Sequence, residues 1–136
     1  MKRNARLLAI ASLAAITVAA AASCSSSTSS SGLTPQEMQG NYSLTSFTTP
    51  PSPTLNPPAV TGTLILTLTN FTLVLNLGGA PPQYDGGTYT ISGNTFTENS
   101  DSTGLTYSGT AHLVNDSLNV EVTTPGGVIN TTWHKN

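Results

Sequence analysis

The sequence predicts an all-β domain, built as a single eight-stranded antiparallel up-and-down meander that closes into a barrel. Composition is the first observation behind this prediction. Charged residues make up only 7% of the chain, and the polarity comes from Thr, Ser and Asn, whereas a helical surface normally carries Glu, Lys and Gln. The second observation is that short alternating runs between turn signals place their apolar residues on one face.

A short helical turn is predicted ahead of the first strand. Thr34 suits the N-cap, Pro35 suits the first helical position, and Glu37 follows the cap by three residues. This spacing is that of a capping box. We expect the turn to end by Gly40.

Eight strands are predicted after this turn, over residues 41–47, 62–69, 71–77, 87–92, 95–99, 105–114, 117–124 and 127–134. The proline-containing stretches 48–60 and 78–86 are predicted loops, because proline lacks the N–H group that a strand ladder needs.

The predicted turns define the apolar face. A two-residue turn at 69–70 aligns six apolar residues, in the pairs Leu68–Phe71, Leu66–Leu73 and Leu64–Leu75. It leaves one apolar pair, Ile65–Val74, on the other face. Turns at 93–94, 115–116 and 125–126 continue the inner face with pairs that include Ile91–Phe96, Leu113–Leu118, Val122–Ile129 and Leu118–Trp133. Closure into a barrel covers such a face and removes the sheet edges, and an open sandwich is the alternative.

Ten inward residues are candidates for lining a ligand cavity or for forming an ordinary core: Tyr42, Leu44, Leu66, Leu73, Tyr89, Phe96, Tyr107, Val120, Ile129 and Trp133. Both interpretations stay open, because side chains alone can fill a small eight-stranded barrel.

The first 23 residues have the pattern of a secretory signal peptide. Three basic residues precede an apolar stretch, 7–22, which is too short to span a bilayer comfortably and ends in small residues. Cys24, the only cysteine in the chain, follows at the expected cleavage point, so it has no partner for an intrachain disulfide.

The stretch Ala21-Ala22-Ser23-Cys24 resembles the lipobox of bacterial lipoproteins, although Ala21 stands where that motif more often carries Leu. The resemblance implies that the Cys24 sulfur is joined to diacylglycerol and that acyl chains form the contact with a membrane. It also implies three segments: a signal peptide over 1–23, a lipidated cysteine with a Ser-rich linker over 24–32, and a domain over 33–136. The expected location is the extracytoplasmic face of the cell envelope. Ser25, in place of a retaining Asp, favours an outer membrane where the cell has one.

Charge excludes several partner classes. After removal of 1–23, Lys135 is the only Lys or Arg against six acidic residues, a formal net charge of −5. The mature chain therefore has neither a basic surface for nucleic acid nor a polybasic patch for anionic lipid. We expect a monomer.

Catalysis, metals and cofactors are not predicted. His112 and His134 both fall on the outer face, away from any nucleophile that they could activate. Glu98 and Asp101 lack the spacing of a calcium loop and indicate a polar hairpin loop. Glu98 shares the side of Tyr89, so a place at a cavity mouth is the alternative to our expectation that the strand has frayed there.

The start of the domain resembles the lipocalin-like domains of small bacterial lipoproteins. A helical turn leads into Gly40-Asn41-Tyr42, which looks like the Gly-x-Trp that opens the first lipocalin strand. The resemblance implies that the Tyr42 ring plugs one end of a barrel, and that the interior can hold a small apolar ligand. The arginine that covers this ring in lipocalins is missing, since none follows Arg6, and Trp133 is expected to take over the plugging.

The predicted function is that of a membrane-anchored, extracytoplasmic, non-catalytic lipocalin-like module that binds a small apolar ligand. The alternative is a structural or interaction protein of the envelope, with a solid core and no ligand. Its working surface would be the outer pair Ile65–Val74 or the proline-rich loop.

Overall fold

A computed structural model describes residues 32–136 as a closed β-barrel. The predicted signal peptide, Cys24 and nearly all of the linker lie outside the described residues. Each strand pairs antiparallel with its neighbour in sequence, and the last strand pairs with the first. The hydrophobic core is formed by residues between Leu33 and Trp133, most of which belong to the helical turn and the barrel strands. The predicted eight-stranded meander is confirmed.

The elements follow in chain order: α1 (Pro35–Met38), β1 (Gly40–Thr48), β2 (Val60–Leu66), β3 (Asn70–Leu77), β4 (Gln83–Ser92), β5 (Thr95–Ser100), β6 (Thr106–Val114), β7 (Ser117–Thr124) and β8 (Gly127–Lys135). The helical turn forms as predicted. The Thr34 backbone N–H donates to Glu37 Oε2 at 2.8 Å, and Thr34 Oγ1 accepts from the Glu37 N–H at 3.4 Å.

Three of the four predicted turn registers are confirmed. The fourth, between β2 and β3, is wrong, because the turn lies one residue earlier in the chain than predicted. The observed pairs between β2 and β3 are Leu66–Phe71, Leu64–Leu73 and Gly62–Leu75. The turn residues are Leu68 and Thr69, because the Thr67 hydroxyl closes the turn by accepting from the Asn70 N–H at 3.0 Å. Because the turn moves by one residue, each residue of β3 pairs with a residue two positions earlier in β2 than predicted. A shift of two residues leaves the same side chains on the inner face. Leu68 itself, predicted to point inward, is 47% exposed at the turn.

The slipped register also separates the outer pair that we predicted. Ile65 lies opposite Thr72, and Val74 lies opposite Thr63. Ile65 is 42% exposed.

The predicted loop 48–60 is confirmed, whereas the predicted loop 78–86 is too long. Two backbone hydrogen bonds between Phe47 and Leu55 attach the proline-rich loop to the end of β1. In the second loop, β4 begins at Gln83, which pairs with Leu75 of β3. The strand continues through two glycines because neighbours on both sides supply ladder partners.

The two ends of the barrel differ in their connections. At the end that we call the closed end, α1 and three tight turns (67–69, 93–94 and 115–116) lie across the strand ends. At the opposite end, which we call the open end, the connections are the loops 49–59, 78–82 and 101–105 and the turn 125–126. Because the strands alternate in direction, the longer loops all gather at the open end.

Tyr42 fills the closed end, as predicted. Its side chain is fully buried, and its hydroxyl donates to the Met38 carbonyl at 2.6 Å. Burial, together with the nearby Tyr89 and Asp116, raises the pKa of Tyr42 to about 12. Lys135 of β8 covers the ring, with its Nζ 5.7 Å from the ring centroid. The last strand therefore does supply a cation over this ring, in place of the missing arginine. The expectation that Trp133 takes over the plugging is wrong, because Trp133 lies in the barrel wall, paired with Leu44 and Leu118.

Candidate functional site: a cavity at the open end

A cavity of about 340 Å³ lies inside the barrel. Its floor includes Met38, Leu66 and Leu118, which belong to the closed end. Its mouth includes Tyr84, Ser102 and Thr103 at the open end. Leucine, valine, isoleucine and aromatic side chains make up most of the wall between floor and mouth. The barrel interior is therefore packed toward one end and hollow toward the other.

Seven of the ten candidate residues line this cavity: Leu66, Leu73, Phe96, Tyr107, Val120, Ile129 and Trp133. The other three, Tyr42, Leu44 and Tyr89, are buried in the core and do not line it. Tyr89 stacks on Phe96 with ring centroids 5.7 Å apart, and its hydroxyl donates to the Thr67 carbonyl at 2.6 Å. Both hydrogen-bonded core tyrosines thus reach backbone carbonyls near the closed end.

The polar rim of the cavity was not predicted. Gln83, Tyr84 and Asp85 line it, but sequence analysis placed them in a loop. The alternation of β4 could have found two of them: since Tyr89 points inward, Gly87, Asp85 and Gln83 share its side, but it does not place Tyr84.

Asp85 is fixed by the loop that follows β5. Its Oδ1 accepts from the Gly86 N–H at 2.8 Å and from the Ser100 hydroxyl at 2.9 Å, with the Ser102 N–H at 3.4 Å. Gly87 allows this arrangement, because a Cβ there would overlap the carbonyl oxygen of Asn99. Asp85 is therefore held on the rim as a positioned carboxylate.

Glu98 lies inside the barrel. β5 continues to Ser100, so the frayed strand expected at this position does not occur, and Glu98 is paired with Tyr89 on one side and Tyr107 on the other. Burial, together with the negative charge of Asp85, raises the pKa of Glu98 to about 7. Its carboxyl group is thus a cavity-wall group that changes its charge near neutral pH.

Other titratable candidates lie outside the cavity. His112 and His134 are exposed on the outer face, opposite Asn119 and Ser117 as predicted. The His112 ring nitrogen Nδ1 lies 3.0 Å from the Asn94 amide nitrogen. Residues 32–136 bring together no group of three His, Cys, Asp or Glu side chains suited to a metal ion. In the same range, no helix has the length and hydrophobicity needed to cross a bilayer.

Comparison with known proteins supports the fold. The chain is similar to a de novo designed fluorescence-activating β-barrel, with a TM-score of 0.53 and 15% sequence identity. The match covers 75% of this chain and 96% of the designed one. At this identity the similarity concerns the fold alone. No protein-family model and no curated protein matches the chain.

Proposed function

We propose that this protein is a lipid-anchored, extracytoplasmic lipocalin-like module that binds a small, largely apolar ligand without catalysis. The observation that supports the proposal is the cavity of about 340 Å³ with its apolar wall. Small-molecule sites typically span about 300–1,000 Å³ and are lined mostly by hydrophobic side chains with a few polar groups. The cavity has this size and composition, and it lies at the small end of that range.

The solid-core alternative does not account for the cavity. A protein that only presents its surface has no need for an internal void, since voids forfeit packing contacts and cost stability. The void here runs along leucines and valines that would otherwise pack together. We therefore favour ligand binding over a purely structural role.

The described part of the chain begins at the closed end. Gly32, the first described residue, lies against the backbone of Gly93 in the turn between β4 and β5. Strands of nine residues, tilted as in a barrel, separate the two ends by roughly 25 Å. An acylated Cys24 would thus be joined to the barrel through the segment that enters it at the closed end.

Ligand binding is tested by thermal unfolding of residues 24–136 carrying Cys24→Ser, the proposed mature chain without its acyl groups. Addition of 1-decanol should raise the midpoint of unfolding in a concentration-dependent way, because a ligand that binds only the folded state stabilises it. Val120→Phe, which fills the cavity from β7, should abolish the shift. Equal shifts in both proteins would argue against binding in the cavity.

Anchoring is tested by the intact mass of the full chain extracted from membranes of a bacterium that processes lipoproteins, beside Cys24→Ala. We expect a mass of residues 24–136 plus acyl chains, and loss of this species in the variant. An unmodified mass would remove the anchor from the proposal and leave the cavity unaffected.

A further inference from the structure

We infer that the ligand of this cavity is a small amphiphile with a cationic amine head and an apolar body of about ten non-hydrogen atoms. The inference rests on the proposed function and specifies the chemical class of its ligand. It derives from the charge around the cavity, since the carboxyl groups lie on one side of the cavity and no cationic side chain of the described residues faces them.

The acidic groups occupy one side of the cavity. Asp85 of β4 and Glu98 of β5 both line it, and these two strands are adjacent in the barrel. In the ladder Glu98 pairs with Tyr89, four residues beyond Asp85 toward the closed end. Asp85 thus stands nearer the mouth and Glu98 deeper, which gives an entering cation two successive carboxylates on the same wall.

The opposite wall is apolar. Ile129 on β8, four strands from β4 around the closed barrel, and Val120 on β7 line the cavity on this side, whereas Leu73 of β3 is the ladder partner of Asp85. A ligand that fits both walls needs an apolar body and a positively charged or hydrogen-bond-donating group on one side. A purely apolar ligand would leave the partly buried Glu98 without a partner, which is unfavourable for a charged group.

Nothing along the cavity balances the carboxylates. Among residues 32–136, the cavity-lining side chains include no Lys, Arg or His, and the only Lys or Arg in this range, Lys135, covers Tyr42 at the closed end. The titratable groups that face the cavity are Tyr84, Asp85, Glu98 and Tyr107, each of which is neutral or negative. A fatty acid would bring a third carboxylate beside two others, whereas an ammonium group would supply the missing positive charge.

The hydrogen-bonding state of the carboxylates agrees with this assignment. Asp85 Oδ1 is already occupied by donors from residues 86, 100 and 102. The Glu98 carboxyl lines the cavity, where burial and the negative charge of Asp85 raise its pKa. An ammonium group can donate three hydrogen bonds, and a charge-assisted bond to a carboxylate is roughly twice as strong as a neutral one.

The volume limits the size of the ligand. At about 30 Å³ for each water-sized group, a cavity of about 340 Å³ holds a body of roughly ten such groups. Three probes of one chain length therefore separate head-group charge from size: 1-decylamine, 1-decanol and decanoate.

The test is isothermal titration calorimetry of residues 24–136 with Cys24→Ser, at about pH 8, where the amine is charged and Glu98 is mostly ionised. Each probe is used below its aggregation concentration. We expect decylamine to bind at least about tenfold more tightly than decanol, and decanoate to bind more weakly than decanol. Decanoate binding as tightly as decylamine would overturn the inference and leave the proposed function intact.

Variants assign the preference to the carboxylates. Glu98→Gln should reduce the ratio of decylamine to decanol affinity by about tenfold, and Asp85→Asn should reduce it in the same direction. Glu121→Gln removes one negative charge from the exposed outer face of β7 and should leave the ratio unchanged. Decanol affinity in each variant reports whether the cavity is still formed, so a ratio that is unchanged in Glu98→Gln contradicts the inference directly. Failure of all three probes to bind the unsubstituted cavity would contradict the proposed function itself.

Discussion

The closed and open ends of this barrel are built from the same eight strands but serve different purposes. At the closed end, tight turns and a capped helical turn bring Met38, Tyr42 and Leu118 to full burial. At the open end, most connections are longer loops, and Tyr107 and Leu73 remain only partly buried around the cavity. The difference teaches that a plug of buried side chains, here Met38 and Tyr42, fills one end of a small barrel and leaves its cavity toward the other end.

A matched pair of tyrosines should give the largest contrast between the two ends. Tyr42→Ala removes a fully buried ring and its hydrogen bond to Met38, and we expect it to cost about 4 kcal/mol of unfolding free energy. Tyr107→Ala removes a partly buried ring whose hydroxyl donates to Thr103, and we expect about 1 kcal/mol. Urea unfolding of both variants measures the two values. Equal costs would show that packing is uniform along the barrel.

Glu98 should make the open end sensitive to pH. Its pKa is raised to about 7 by burial and by the Asp85 charge, so the folded protein holds this proton more tightly than the unfolded chain does. The contribution of Glu98 to stability is then fully present below the unfolded pKa of about 4.5 and is lost as the pH rises through 7.

Replacement by an uncharged isostere should remove this dependence. Relative to the unsubstituted protein, Glu98→Gln should gain on the order of 2–3 kcal/mol in unfolding free energy on going from about pH 5 to about pH 8. Chemical denaturation at a series of pH values measures this gain. Glu121→Gln, on the exposed outer face, serves as the control and should show little of it. A wild-type pH profile retained in Glu98→Gln would mean that Glu98 is solvated.

The capping box should make a smaller contribution to the closed end. Thr34→Ala removes the side chain that accepts from the Glu37 N–H, and an N-cap substitution of this kind costs about 1 kcal/mol. Gln36→Ala, in the same helical turn but exposed and outside the box, should cost much less. Thermal unfolding of the two variants compares them, and similar losses would show that the box does not hold the turn in place.

The smallest expected effect tests the register of the turn between β2 and β3. Leu68 is 47% exposed, so Leu68→Ala should change stability by no more than about 0.5 kcal/mol. Leu66, two residues earlier, is buried at 4% exposure, and Leu66→Ala should cost about 3 kcal/mol. A large loss of stability in Leu68→Ala would contradict the observed register and favour the one in which Leu68 faces inward.

Turn chemistry explains why most of the fold could be predicted from the sequence. Gly93-Asn94, Asn115-Asp116 and Pro125-Gly126 are residue pairs with strong turn preferences, and their registers are confirmed. The turn at 68–69 has no such pair. It is closed by the Thr67 hydroxyl, which donates to the Asn70 carbonyl and accepts from the Asn70 N–H, and a hydroxyl that can bond in several registers does not select one from sequence alone.

The site was less predictable because it depends on contacts between distant segments. Period-two alternation identified the apolar wall, but Asp85 becomes a rim residue only through Ser100 and Ser102, and neither is near it in sequence. The cavity itself is space that the inward side chains leave unfilled. Strand pairing tells which side of the sheet each side chain faces, but not how much of the interior those side chains fill. At the closed end, the role of Lys135 was not predicted, because the lipocalin resemblance implies an arginine there, although an ammonium over an aromatic ring makes the same kind of interaction.

The cavity as the ligand site is tested most directly by nuclear magnetic resonance of methyl-labelled residues 24–136, carrying Cys24→Ser, with 1-decanol. We predict nuclear Overhauser effects between the alcohol chain and the methyl groups of Leu73, Val120 and Ile129, which line the cavity. Contacts confined to Ile65, Leu68 and Val114, which are exposed on the outside, would contradict a ligand inside the barrel and would favour a surface-binding role.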